Sequence, residues 1–336
     1  MTKKIGAQTI QFETPPFIIS TGCVVGKKEG EGPLGSYFDQ IVEDEYCGEK
    51  SWESAESKLQ TMAFQKTLNK HGLRNQDIDY MFAGDLLNQC VGTHYGTRDT
   101  NIPFFGIFGA CSTMVEGLSL SSIMIDGGFA VNVAALTSSH FCSAEKQFRF
   151  PLEYGGQRTP TSQWTVTGSG CAIVSKNGPG PKITHATVGK IVDMGINDAN
   201  NMGSAMAPAA FDTIITHFND TGRDASYYDL VITGDLGMTG SDILHDLFKK
   251  ETGGSELNNH KDCGVLIFDA EKQDVHSGGS GCACCASVFC GYLYNQLTTG
   301  KLSKILLVAT GALMNTMTLQ QGETIPSIAH AVAIEI

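Results

Sequence analysis

The chain has 336 residues, of which 41% are hydrophobic and only 17% charged, with 39 glycines. That balance supports a sizeable core with many tight turns and excludes a disordered or coiled-coil chain. The formal net charge of −12 sets the bulk field against nucleic acid and anionic membrane surfaces.

No stretch approaches the roughly 18–20 consecutive apolar residues that span a bilayer. The basic start Met1-Thr2-Lys3-Lys4 is not followed by the apolar core of a signal peptide, so synthesis as a cytosolic protein is expected. The eleven cysteines are odd in number and sit mostly among apolar or small residues, as buried thiols do in a reducing compartment. Cys282, Cys284 and Cys285 cluster, but without the two-residue spacing or histidine partners of a zinc site.

In chain order, Trp52, Ala55, Leu59, Met62 and Ala63 mark one face of a helix that Gly72 ends. Residues 77–86 read as a strand running into the polar turn at Asp85. Residues 102–108 read as a strand leading to Gly109-Ala110-Cys111-Ser112, and residues 113–125 as an apolar helix leading away. A cysteine at a helix N-terminus faces unpaired N–H groups that favour the thiolate, which is how an acyl-transfer nucleophile is prepared. Strands follow at residues 131–136 and 169–175.

The second half repeats this order. Residues 228–236 echo 77–86 and end in Gly234-Asp235-Leu236, as the first strand ends in Gly84-Asp85-Leu86. Gly281-Cys282-Ala283-Cys284 opens an apolar helix, as the Cys111 turn does. Strands then fall at 305–309 and 329–334. Alternating strands and helices give mixed α/β sheets. The duplication predicts two halves, residues 1–180 and 181–336, meeting near Gly178-Pro179-Gly180-Pro181. The helices behind Cys111 and Gly281, poor in charge and rich in small residues, suit a buried centre.

The cysteine turn and Thr167-Gly168-Ser169-Gly170-Cys171-Ala172-Ile173-Val174 resemble the condensing enzymes of the thiolase fold. That resemblance implies two pseudo-duplicated α/β halves, each with a mixed five-stranded sheet, packed around central helices. A closer resemblance, to the stage V sporulation protein AD family, covers nearly the whole chain. It is carried by Glu31-Gly32-Pro33-Leu34-Gly35, residues 83–89, residues 108–113, Glu153-Tyr154-Gly155-Gly156-Gln157, residues 202–210, His260-Lys261-Asp262-Cys263-Gly264 and residues 278–284.

This family resemblance implies a non-catalytic protein that binds dipicolinic acid (pyridine-2,6-dicarboxylate). Calcium dipicolinate is the expected form and the free acid the alternative. It further implies work in uptake into, or release from, bacterial spores, at the spore inner membrane, with membrane-embedded proteins of the stage V sporulation A complex. No cofactor or nucleic-acid partner is expected, and a homodimer is left open.

Catalysis by this fold pairs the cysteine with a histidine and a second His, Asn or Cys. Where fatty-acid initiating synthases carry His-Gln-Ala-Asn, this chain reads Gly234-Asp235-Leu236-Gly237-Met238. Where thiolases carry His-Pro-x-Gly, it reads Gly278-Gly279-Ser280-Gly281, with His276 three residues before Gly279. The ligand pocket is therefore expected at the old active site, built by Asp85, Cys111 and His140 with amides from Gly170 and Gly281.

Each of these residues also has a plainer reading. Asp85 caps a helix, Cys111 is a structural thiol, and His140 is a hydrogen-bonded core histidine. Asp235 reads as a cap. Arg149 and Arg158 offer guanidinium forks to a dicarboxylate. Hard calcium favours oxygen ligands, for which Asp85 is the candidate. The enzymatic alternative takes Cys111 as nucleophile with His140 or His276 as base.

Overall fold

A computed structural model describes residues 3–148 and 158–336. Ten strands make up the main path of one hydrogen-bonded sheet. The first five are β1 (Phe17–Gly26), β2 (Tyr80–Gly84), β3 (Phe104–Gly106), β4 (Asn132–Ser139) and β5 (Gly168–Ser175). They lie in the order β3-β2-β4-β5-β1, parallel from β3 to β4 and antiparallel from there to β1. The other five are β6 (Lys182–Thr187), β7 (Leu230–Thr233), β8 (His260–Asp262), β9 (Lys304–Ala312) and β10 (Ser327–Glu335). Their order, β8-β7-β9-β10-β6, repeats the same parallel and antiparallel sense. The two runs touch edge to edge where Lys182 of β6 pairs with Phe17 of β1.

Period-two alternation sorts the strand residues between layers. In β4, Val133 and Ala135 face inward and Ala134 and Leu136 face outward. The outward set packs on Leu59, Ala63, Phe64 and Leu68 of α1 (Trp52–His71). Ser51 caps that helix by accepting from Ser54 N, and Gly72 closes it at φ +67°. The inward set packs on α2 (Thr113–Asp126) through Met114, Val115 and Leu118.

Two further helices lie outside this central layer: α3 (Phe141–Phe148), beyond β4, and α4 (Met202–Thr221) on the outer face of the second half. Met206, Ala210 and Ile214 of α4 cover Val231, Leu306 and Ala331. Next come α5 (Gly237–Glu251) and α6 (Cys282–Ser287), the latter continued by the π-helical turn Val288–Leu293. Ala283 to Ala286, Val288 and Phe289 join α2 in one cluster with inward residues of both five-stranded runs. This is the α/β thiolase-like arrangement, with two charge-poor central helices packed against two mixed five-stranded runs; the two separate sheets expected from the resemblance are here joined edge to edge into one.

Strand extents differ from the sequence pattern. The expected strand at 102–108 pairs only over Phe104–Gly106, because Pro103 has no N–H to give and the chain then bends toward Gly109. β4 runs on to Ser139, since its far end is buried on both faces. Gly170 serves packing rather than a pocket. A Cβ there would fall 2.6 Å from the Ala286 carbonyl oxygen, so β5 and α6 meet backbone to backbone. Gly170→Ala should therefore cost about 1–3 kcal/mol by overpacking, read as a lower urea midpoint at unchanged m-value; a wild-type midpoint would place slack at this contact.

Candidate functional site

Cys111 lies in the 3-10 turn Ala110–Ser112 that feeds α2. Ala110 takes φ +51°, a left-handed backbone uncommon for a side chain with a Cβ. The turn is held from both halves of the chain. The Ala110 carbonyl accepts from Thr113 Oγ1 at 2.5 Å and from Cys282 Sγ at 2.9 Å. Gly109 O accepts from Ser112 Oγ at 2.7 Å.

The Cys111 thiol stands 3.8 Å from Ser280 Oγ. Ser280 Oγ donates to Asp235 Oδ2 at 2.8 Å, Gly281 N donates to the same oxygen at 3.1 Å, and Thr310 Oγ1 donates to Oδ1 at 2.8 Å. Gly281 takes φ +101°, and a Cβ there would lie 2.7 Å from Ser139 Oγ. Only glycine lets this N–H turn onto the carboxylate.

The electrostatics run opposite to the sequence expectation for Cys111. Burial, then the negative field of Asp235, pushes its thiol well above the ordinary value. Burial also raises Asp235, against the pull of its hydroxyl, thiol and N–H donors. The helix N-terminus does not produce a thiolate here, because desolvation outweighs a half-charge dipole. All eleven cysteines are free, and nine of them are buried.

Above this floor opens a cavity of about 420 Å³. Ala144, Glu145, Gln147 and Phe148 of α3 form one wall, joined by Leu86 and Asn88 from the loop after β2. Further lining comes from residues 312–317, at and after the end of β9, and from Ala199, Asn200 and Met202 at the start of α4. Gln147 ties the first wall together, accepting from Asn88 N at 2.9 Å and donating to Leu86 O at 3.1 Å. Among the described lining residues the polar groups are amides and hydroxyls with one carboxylate, Glu145, and none is Lys, Arg or His. The described residues include no group of three or more His, Cys, Asp or Glu placed to hold a metal ion.

Of the residues expected in the pocket, Cys111 and Gly281 line the cavity together. Asp85 does not. Its carboxylate accepts from Leu87 N at 2.8 Å, Thr93 N at 2.7 Å and Thr93 Oγ1 at 2.6 Å, so it organises the turn and the short helix Val91–Thr97. Calcium therefore has no Asp85 oxygen to reach from the cavity. His140 is spent on backbone as well. Nε2–H donates to Glu45 O at 2.8 Å while Nδ1 accepts from Cys142 N at 3.1 Å. Burial lowers its pKa, so the ring stays neutral with both nitrogens used.

His276 sits at φ +51° with Nε2 3.2 Å from Asp274 Oδ1, outside the cavity lining. Arg158 donates from Nη2 to Asp274 O and Oδ2, both at 2.8 Å, and lies over Trp164. Gly170 is buried against α6, and Arg149 lies outside the described residues.

Asp235 corrects the reading from sequence. It is no helix cap; Asp262 does that work, accepting from Leu236 N at 2.8 Å and Gly237 N at 3.0 Å. The available signal was its place after β7, where the initiating synthases carry histidine. Ser280 and Thr310 carried no comparable signal.

The fold is that of the condensing enzymes. The structure aligns with 3-oxoacyl-[acyl-carrier-protein] synthase III from Aquifex aeolicus at TM-score 0.57, 14% identity, covering 96% of this chain and 100% of that one. It aligns with a Xanthomonas campestris OleA variant at TM-score 0.59, 11% identity, covering 97% and 99%. Within that class the sequence is more specific. The family model for stage V sporulation protein AD matches residues 6–335. The stage V sporulation protein AD of Bacillus subtilis (strain 168) is 50% identical over 333 residues, 99% of this chain and 98% of the relative. The chain belongs to the stage V sporulation protein AD family, and is a sporulation protein on the condensing-enzyme fold.

The buried acids set a pH dependence of stability. Burial pushes Glu29 and Asp262 up to about 7 and Glu56 up to about 8. An acid with a raised folded pKa contributes stability below its unfolded value and loses it as pH rises through the folded value. Burial lowers His185 and His330 to about 4 and His217 and His260 to about 3, so these favour folding increasingly only up to about pH 6.5. The two sets oppose each other below 6.5, and the acids act alone above it. Stability should fall between pH 6.5 and about 8, read from urea midpoints; a flat or rising curve there would refute the assignment.

Proposed function

We propose that this protein binds dipicolinate as its calcium chelate in the cavity above Cys111, without covalent chemistry. The observation that carries the reading is the floor of the cavity, where a buried carboxyl and a serine stand beside the thiol. Burial, with the field of Asp235 added to it, raises the thiol rather than favouring a thiolate. Acyl transfer needs a thiolate and a proton acceptor in reach, and neither His140 nor His276 lines the cavity.

The lining supports a neutral ligand over a bare dianion. Calcium and dipicolinate together carry no net charge, and the ring suits the apolar surfaces of Phe108, Phe148, Met202 and Met314. Amide groups of Asn88, Asn200 and Asn315 can hydrogen-bond carboxylate edges. With no ready-made metal cluster among the described residues, the ion would arrive on its own chelator.

The protein then acts in uptake of this solute into spores or its release, through membrane-embedded proteins of the stage V sporulation A complex at the inner membrane. No helix among the described residues is long and apolar enough to cross a membrane, so membrane-embedded partners would have to supply the passage.

Calorimetry tests the ligand. Dipicolinate should bind tightly with calcium, lose affinity with excess chelator, and show little salt dependence. Equal affinities with calcium and with chelator would overturn the chelate and favour the free acid. Cys111→Phe, which fills the floor, should weaken binding at least tenfold, about 1.4 kcal/mol, with normal circular dichroism; unchanged affinity would move the site elsewhere.

Incubation with acyl-coenzyme A should leave Cys111 unmodified by mass spectrometry. A stable thioester at Cys111 would establish the enzymatic alternative.

A further inference from the structure

Glu56 lies on α1, on the face turned toward β4, and is fully buried. Its Oε1 accepts from Ser138 Oγ at 2.9 Å, at the end of β4. Its Oε2 lies 2.7 Å from Ser143 Oγ, on α3. Asp85 is its acidic neighbour: a Cβ on Gly92 would lie 3.3 Å from Asp85 Oδ2 and 3.4 Å from Glu56 Cδ, so both acids press on one spot. Two buried carboxyls this close do not both ionise.

The hydrogen-bond count says which one keeps the proton. Asp85 accepts from two backbone N–H groups and a hydroxyl, the pattern that favours a carboxylate. Glu56 meets only hydroxyls. Gln60 Nε2 donates to Ser138 Oγ at 2.7 Å, which turns the Ser138 proton toward Glu56 Oε1. Ser143 Oγ also lies 3.0 Å from His140 O, so it can give its proton there and accept one from Glu56 Oε2. A neutral Glu56 closes this chain with every proton placed.

The segments so joined are one wall of the cavity. Asp85 holds the turn that presents Leu86 and Asn88, and Glu56 holds α3, which presents Ala144, Gln147 and Phe148. We propose that Glu56 is a positioning residue for the ligand cavity: as a neutral acid it fastens α3 to β4 beside the Asp85 turn, and its ionisation loosens that wall. This rests on the binding reading above for its effect on ligand, though not for its effect on the wall.

The charged and titratable groups facing the pair are Glu53 on α1, Cys90 and His94 beside the Val91–Thr97 helix, Cys282 on α6 and His140 at the end of β4. Glu53 is paired with Lys146 at 2.6 Å, and burial keeps the two thiols and His140 neutral. Burial, then the nearby Asp85, pushes Glu56 up to about 8, which sets the pH range to examine.

The test compares wild type with Glu56→Gln, which keeps one acceptor and one donor but cannot ionise. Calcium dipicolinate affinity is measured by calorimetry from pH 7 to 9.5, with amide hydrogen exchange at residues 86–88 and 141–148, corrected for intrinsic pH dependence. Dipicolinate carboxyls are already ionised in this range, since carboxyls titrate near 4. Wild type should lose affinity about tenfold per unit above pH 8 and lose protection in both segments together. Glu56→Gln should bind as wild type does at pH 7 and change less than threefold across the range.

Parallel pH profiles for the two proteins would overturn the proposal. Should Glu56→Gln not fold, Asp85→Asn removes the second charge and should shift the wild-type transition to lower pH; an unmoved transition overturns the proposal equally. If wild type binds no calcium dipicolinate at any pH, the binding reading fails, and the exchange data still decide whether Glu56 holds the wall.

Discussion

The buried carboxyl of Asp235 is the constraint around which the centre of the molecule is built. Among the described residues no lysine or arginine pairs with it, so it must be satisfied by neutral donors from three places in the chain. Thr310 at the buried end of β9, Ser280 and Gly281 before α6, and the Cys111 thiol from the other half all converge on it. Leaving such a group unsatisfied costs several kilocalories per mole in an apolar interior. The positive φ of Gly281 and the placing of the Cys111 turn against Ser280 follow from that requirement. Burial raises the Cys111 thiol, and the field of the same carboxyl adds to that rise.

The two halves show how one local phrase can serve different ends. Gly84-Asp85-Leu86 and Gly234-Asp235-Leu236 follow equivalent strands, β2 and β7. Asp85 turns back to its own following turn and helix. Asp235 turns to the centre, and its capping duty passes to Asp262 on the neighbouring strand. The pseudo-symmetry preserves backbone path and sheet order while side-chain direction is decided by partners far along the chain. The cavity is built on that asymmetry, with the Cys111 turn from one half and the Ser280–Gly281 segment from the other.

This also explains what could be read from the sequence. Strand positions, the two central helices and the cysteine turn rest on local periodicity and on small residues at the packed interfaces, and they emerge from the chain directly. Family motifs carried the rest of the fold. Site membership was harder to read. Asp85 and His140 end strands near the right place, but their hydrogen bonds go to Leu87, Thr93, Glu45 and Cys142 rather than into the cavity. Glu56 and Gln60 were invisible because they interrupt the apolar face of α1, and only their partners on β4 and α3 account for their burial. A hydrophobic pattern registers apolar positions; it does not register polar groups that are buried because they are paired.

Charge is the last point on which the folded molecule departs from its sequence. The formal −12 counts every carboxyl as ionised. Glu29, Glu56 and Asp262 titrate near 7 to 8 in the fold, and burial raises Asp85 and Asp235 too. Near pH 7 the molecule is therefore less negative than its composition, and one of the missing charges is that of Glu56, which lies behind the α3 wall of the cavity. On the proposed reading, a ligand carrying carboxylates would meet a weaker repulsion there than the net charge suggests. As pH rises through about 8, Glu56 adds negative charge at short range and low dielectric, where it is least screened. On the binding reading proposed above, the site's tolerance for an acidic ligand and the hold on its α3 wall thus depend on the same Glu56 proton.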